Sequence, residues 1–310
     1  PGLRLFRLFW LQLMNRSVRW ALVLSGGGAK GFMHIGVLKA LEAWGYPKPG
    51  LIVGTSMGAI VGGLYACGYS AEALEDIAVH QFDIRRFLDS SRFQLKGPVG
   101  RLMETGHMVS RFATKPGIDS GNRILAYLET LTDHKIIENL PIPFRCNAVD
   151  LITGKEVIIA SGSLARAQRA SMAFPAFFDP LVEGPQHLVD GGLVNNLPVY
   201  IARDLGYSRI LAVDVGAFLL AKSSNLQTGP QVVYRALEVA ISHIQRGDGD
   251  RATLTLHPED PATPLDFARA KHLISVGEEH AYANQRAIEI FFSEGLFAHF
   301  QRRRGLQIKN

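Results

Sequence analysis

Short unbroken apolar runs alternate with stretches of helical periodicity along most of this chain. Residues 20–24 (WALVL) predict a buried strand. SGGGAKG follows at 25–31. From Phe32 to Trp44 the apolar Ile35, Leu38 and Leu41 recur at three-residue steps, predicting a helix that Gly45 stops. A second apolar run, LIVG at 51–54, leads straight into TSMG and a helix carrying Gly58, Ala59, Gly62, Gly63 and Ala66. Small residues at three- and four-residue spacing let a helix lie close against a sheet. Ser70 is placed to cap a further helix from Ala71.

Residues 80–120 are mixed, with turn signals at Gly97-Pro98 and Pro116-Gly117, and are expected to supply helical pieces and loops that form a lid or pocket wall. A strand is expected at 144–150, with the turn Thr153-Gly154-Lys155 returning the chain to VIIA. Then come a helix rich in Ala and Arg (163–173), FPAFF, and HLVDGGLVNNLP (187–198), a polar turn after a short strand. A helix at 199–205, a strand at 210–216, a long helix at 230–245, a short strand at 252–256 and a C-terminal helix at 266–293 complete the pattern. Alternating strands and helices predict an α/β fold with a mostly parallel sheet and helices on both faces. No repeat or linker divides it, so one domain is expected.

Composition changes this picture little. With 310 residues, 47% apolar and 20% charged, the chain is long enough to bury a core and too apolar for disorder. A net charge of +5 would suit an anionic phospholipid surface or nucleic acid, but on charge alone a plain basic protein is the better reading. The two cysteines, Cys67 and Cys146, show no metal spacing and no disulfide framework, which favours a reducing compartment. The chain begins at Pro1 without Met, as expected of a fragment or processed form. Residues 3–14 (LRLFRLFWLQLM) are too short to span a bilayer and lack a signal-peptide cleavage site. With Arg4, Arg7 and Trp10 on an apolar background, residues 1–19 suit an interfacial segment on anionic lipid; a helix packed on the domain, or the stump of a truncated membrane anchor, is the alternative.

Three motifs carry chemistry. GTSMG (Gly54, Thr55, Ser56, Met57, Gly58) fits G-x-S-x-G between a strand and a helix, a turn that projects the serine Oγ from the sheet. GGGAKG (Gly26, Gly27, Gly28, Ala29, Lys30, Gly31) lets backbone N–H groups converge on an anion, a bound phosphate or an oxyanion. It also fits a dinucleotide fingerprint, but the next strand ends in Gly54-Thr55-Ser56 and not in the acidic residue that holds a ribose. The Gly-Lys-Ser/Thr of a phosphate-binding P-loop is absent too, so an oxyanion hole fits best. The third motif is Asp190-Gly191-Gly192 at the end of a strand. Alone it is a turn; beside a serine elbow it is a candidate base.

In this order and at about these separations, the three motifs resemble those of the patatin-like phospholipase family, which pairs G-G-G-x-[K/R]-G, G-x-S-x-G and D-G-[A/G]. ASMAFPAFF (170–178) resembles a further family block, and DGGLVNNLP and LAVDVG are similar to the bacterial branch. The likeness runs from about Trp20 to the helix near 290. It implies a three-layer α/β fold at 20–310 and a Ser-Asp dyad in which Asp190 takes the Ser56 proton directly. Gly27, Gly28 and a neighbour would stabilise the oxyanion, with the Lys30 side chain ordering the loop and its N–H facing the site. It also implies a lipid or phospholipid substrate, contact with a membrane surface, no nucleic acid, no metal and no cofactor, in a cytoplasmic or peripherally membrane-associated enzyme. Two other readings stand beside it. His243, His257, His272 or His280 would complete a Ser-His-Asp triad, although His272 and His280 read as helical; His34 and His187 read as packing and surface residues. A catalytically silent lipid-binding protein would be expected to have lost Ser56 or Asp190, and both are present.

Overall fold

The computed structural model describes residues 19–83, 116–216, 229–244 and 252–293. The expectations for residues 1–18 and most of the 80–120 segment lie outside the described residues.

The apolar runs become strands β1 (Ala21–Leu24), β2 (Leu51–Gly54), β9 (Ile210–Val213) and β10 (Leu254–Leu256). With β4 (Phe144–Asp150) they form the parallel part of an eight-stranded sheet in the order β10-β9-β1-β2-β4. The strand alternation divides their side chains between two cores. Leu22, Leu24, Ile52, Leu211 and Val213 pack with the helices α1 (Phe32–Ala43), α2 (Met57–Cys67) and α8 (Ala270–Ala283). Ala21, Val23, Leu51, Val53, Ile210 and Ala212 pack with α6 (Val199–Asp204). Unbroken apolar strands are therefore apolar because both faces are covered. This is the three-layer α/β architecture expected.

The rest of the sheet is antiparallel. β4 pairs with β5 (Lys155–Ile159) and β8 (Gln186–Asp190), and β8 pairs with β7 (Leu181–Glu183). The Thr153-Gly154 turn is too short for the crossover that a parallel pair needs. The predicted C-terminal helix also divides, into α8 and α9 (Gln285–Phe292). At the break the Asn284 side-chain amide donates to the His280 carbonyl at 3.0 Å, sharing it with the Asn284 backbone N–H at 3.1 Å. Ser70 caps its helix as expected, accepting from Ala73 N at 3.1 Å.

One feature of register positions the site. β5 occupies one edge of β4 from Cys146 to Asp150. The other edge is shared: β2 arrives parallel and ends with Gly54 opposite Cys146, while β8 arrives antiparallel and ends with Asp190 opposite Ala148. The C-terminal ends of β2 and β8 therefore meet head to head along one strand.

Candidate active site

Beyond Gly54 the chain must turn from strand into α2 within two residues. Ser56 makes the turn at φ 53°, ψ −120°, a conformation that L-residues avoid and that costs about 1–3 kcal/mol. Several bonds hold it there. Its N–H donates to Ser171 Oγ at 2.9 Å, its carbonyl accepts from Ala59 N at 2.9 Å, and Gly58 N donates to Thr55 O at 2.8 Å. Thr55, fully buried, donates from Oγ1 to Asn147 Oδ1 at 2.8 Å. Gly58 lets α2 start directly against β1, because a Cβ there would collide with the Leu24 carbonyl oxygen.

Asp190 is 4% exposed. Its Oδ1 accepts from Gly192 N at 2.8 Å, and the Ser56 hydroxyl lies close enough to its carboxylate to favour the ionised form. Burial outweighs both influences and pushes its pKa up to about 6. The elbow and the DGG turn, 134 positions apart in the chain, are thus brought together.

The glycine loop lies beside them, and most of its amides are already engaged. Gly26 N donates to Asn196 Oδ1 at 3.0 Å, Ala29 N to Pro264 O at 2.8 Å, and Lys30 N to Gly27 O at 3.2 Å. The last bond corrects the expectation that the Lys30 N–H faces the site: Gly28–Gly31 is a 3-10 turn, and the Lys30 amide closes it. In the glycine loop and at the first position of α2, the amides of Gly27, Gly28 and Met57 find no hydrogen-bond partner among the described residues. The Lys30 side chain is buried, and desolvation lowers its pKa against the raising pull of Glu238, Asp260 and Glu259.

Four of the histidines named above have partners elsewhere. His34 is fully buried, bonds the Ser25 carbonyl at 2.9 Å, and is driven by burial to a pKa of about 4, so it is neutral. His187 is exposed on β8. His257 lies 3.6 Å from Asp214, His272 is 2.9 Å from Asp260, and His280 contacts Asn284. Among these, none bonds Ser56 or Asp190; His243 falls on α7 (Gly229–Ile244).

Sequence reasoning missed the polar side chains that support the site. Asn147 joins Thr55 Oγ1, the Glu156 carboxylate and the Asn195 carbonyl, each at 2.8 Å. Ser171 and Asn196 lay inside blocks noted only for their resemblance, ASMAFPAFF and DGGLVNNLP. Asn147 is fully buried between Cys146 and Ala148 on β4, and an amide between those two apolar neighbours was the signal available.

Comparison with known proteins bears on the whole. A model of the family described as "Patatin-like phospholipase" matches residues 22–203. The chain is 37% identical over 199 residues to patatin-like phospholipase domain-containing protein 6 of Mus musculus, covering 64% of this chain and 13% of that protein. It is 38% identical over 198 residues to lysophospholipase NTE1 of Mycosarcoma maydis, covering 63% and 10%. An uncharacterized NTE family protein of Mycobacterium tuberculosis matches at 37% over 186 residues, covering 60% and 46%. The matched region thus spans less than half the length of each of these relatives. Among solved structures, VipD from Legionella pneumophila aligns with a TM-score of 0.49 at 15% identity, over 87% of this chain and 67% of that one.

Proposed function

The chain belongs to the patatin-like phospholipase family, and from that premise we propose that it hydrolyses acyl esters of lipids, with Ser56 as nucleophile and Asp190 as its base. The observation that carries this reading is the placing of a serine on a strained elbow beside a buried carboxylate with a pKa of about 6. A carboxylate with that pKa is ionised at neutral pH, yet is a stronger base than an ordinary one.

In the first half-reaction Ser56 Oγ attacks the acyl carbonyl carbon while its proton passes to Asp190. The carbonyl oxygen becomes an oxyanion. The unpaired amides of Gly27 and Gly28, with Met57 at the positive end of α2, are the donors available to it. The intermediate collapses, the ester's alkoxy group leaves with the proton from Asp190, and the acyl group remains on Ser56. In the second half-reaction Asp190 takes a proton from water, whose oxygen attacks the acyl-enzyme, and the fatty acid is released as Ser56 recovers its proton. No step calls on a histidine, metal or cofactor.

One relative is named a lysophospholipase, and we extend that substrate class to this chain: acyl esters of glycerophospholipids or their lyso forms, met at a lipid surface. Fatty-acid release from a panel of phospholipids, lysophospholipids and short-chain esters tests the reading. Release that Ser56→Ala abolishes supports it. Vesicle binding without release from any member would turn the protein into a silent lipid binder.

A further inference from the structure

Resting on that dyad reading, the geometry points to Asn196 as the positioning residue of the oxyanion hole. Asn196 lies six residues after the base, in the same loop. Its Oδ1 accepts from Gly26 N at 3.0 Å, and its Nδ2 donates to Gly26 O at 3.2 Å. Its own carbonyl stands 3.3 Å from the same Gly26 amide. One residue thus holds both polar backbone atoms of Gly26.

Two consequences follow for the loop. The Gly26 N–H is consumed, so it does not serve the oxyanion, and the peptides that follow it start from a fixed point. Those are the peptides that present the Gly27 and Gly28 amides. Three successive glycines have wide backbone freedom, and fixing them during the reaction would raise the barrier. Asn196 removes that freedom beforehand.

The packing leaves room for nothing else. A Cβ on Gly26 would collide with Asn196 Oδ1 and stand 3.0 Å from the Ser56 Cβ. A Cβ on Gly192 would come within 2.9 Å of Asn196 Oδ1, and one on Gly216 within 2.6 Å of its Nδ2. The amide, buried at 9% exposure, fills the point where the loops after β1, β8 and β9 meet. It couples the base loop to the oxyanion loop, as Asn147 couples the base loop to the elbow.

The role concerns the transition state more than substrate binding, and that distinction is measurable. Asn196→Ala and Asn196→Asp are compared with the unaltered protein for hydrolysis of a lysophospholipid. Two inhibitors accompany the assay: a trifluoromethyl ketone that forms a tetrahedral adduct with Ser56, and an ether-linked lysophospholipid that binds without one. In Asn196→Ala, kcat is expected to fall about 10²-fold, in the range seen when an oxyanion donor is lost. KM and ether-lipid affinity stay within about two-fold, while trifluoromethyl ketone affinity falls in step with kcat/KM. Asn196→Asp keeps the acceptor for Gly26 N–H and loses the donor to Gly26 O, and the same split is expected. It carries the comparison if Asn196→Ala does not fold. Unaltered kcat in a folded variant, or equal weakening of both inhibitors, overturns the role of Asn196. Failure of the unaltered protein to hydrolyse any lipid, with no adduct on Ser56, overturns the dyad reading instead.

Discussion

The parallel and antiparallel parts of the sheet meet on β4, and they contribute to the site in different ways. The parallel strands β1, β2 and β9 are buried on both faces and end together, so the glycine loop, the elbow and the 214–216 turn emerge side by side. A parallel strand brings its following loop to that same end. A base that faces the elbow along a strand edge must come from the opposite direction, and β8 does this because the hairpins reverse the chain. The antiparallel part is thinner and wetter: β5 is half-exposed and Ile158 on it is 45% exposed. Burial stabilises one part, and polar ties to Asn147 and Asn196 register the other against it.

Separating the dyad is expected to have the largest effect. Asp190→Asn keeps the shape of the side chain and removes the base, so kcat should fall about 10²–10⁴-fold. Stability should move the other way. The folded pKa of Asp190 is raised from 3.8 to about 6, so the folded state holds its proton more tightly and loses stability as pH rises from about 4 to 6. Two pKa units correspond to about 3 kcal/mol at pH 7, an upper bound on the gain in Asp190→Asn, since the interaction with Gly192 N is altered too. Thermal melting at pH 8 and pH 4 checks the sign: the variant melts higher at pH 8, and the gap closes at pH 4.

The next largest contrast is between the cores. Ile52→Ala, on a fully buried parallel strand, is expected to cost about 2–5 kcal/mol in urea unfolding. Asn147→Ala should cost about 1–3 kcal/mol, because it removes the acceptor of the buried Thr55 hydroxyl and one donor to the Asn195 carbonyl. It should also lower kcat, since the tie between elbow and base is lost. Ile158→Ala, on the antiparallel edge, should stay within about 0.5 kcal/mol. The smallest effect is expected from His187→Gln and His272→Gln, which should leave kcat and its acid limb near pH 6 unchanged. A histidine substitution that abolished turnover would move the protein to the triad class.

How much of this was legible in the sequence divides along the same line. The parallel strands announced themselves as apolar runs, because strands covered on both faces need apolar residues throughout. The elbow and glycine loop were legible because their geometry restricts residue choice: Gly58 has no room for a Cβ, and Gly28 sits at φ 57°. The pairing of Ser56 with Asp190 came from the family resemblance, since no local pattern encodes a contact across 134 positions. Short half-exposed strands such as β7 and β8 carry little periodicity, so their direction was not legible. Which amides remain free was hidden as well: Gly26, Ala29 and Lys30 are engaged by Asn196, Pro264 and Gly27, two of them far away in the chain. The break at Asn284 falls inside an otherwise helical pattern, with neither Gly nor Pro to mark it.

The most direct test of the central claim, that two opposed strand ends deliver a serine and its carboxylate base without a histidine, is the rate at which a fluorophosphonate labels Ser56 as a function of pH. The expected result is a single adduct on Ser56, forming more slowly as pH falls through about 6 and lost in Asp190→Asn. Labelling that persists in Asp190→Asn and disappears on replacing a histidine would contradict it.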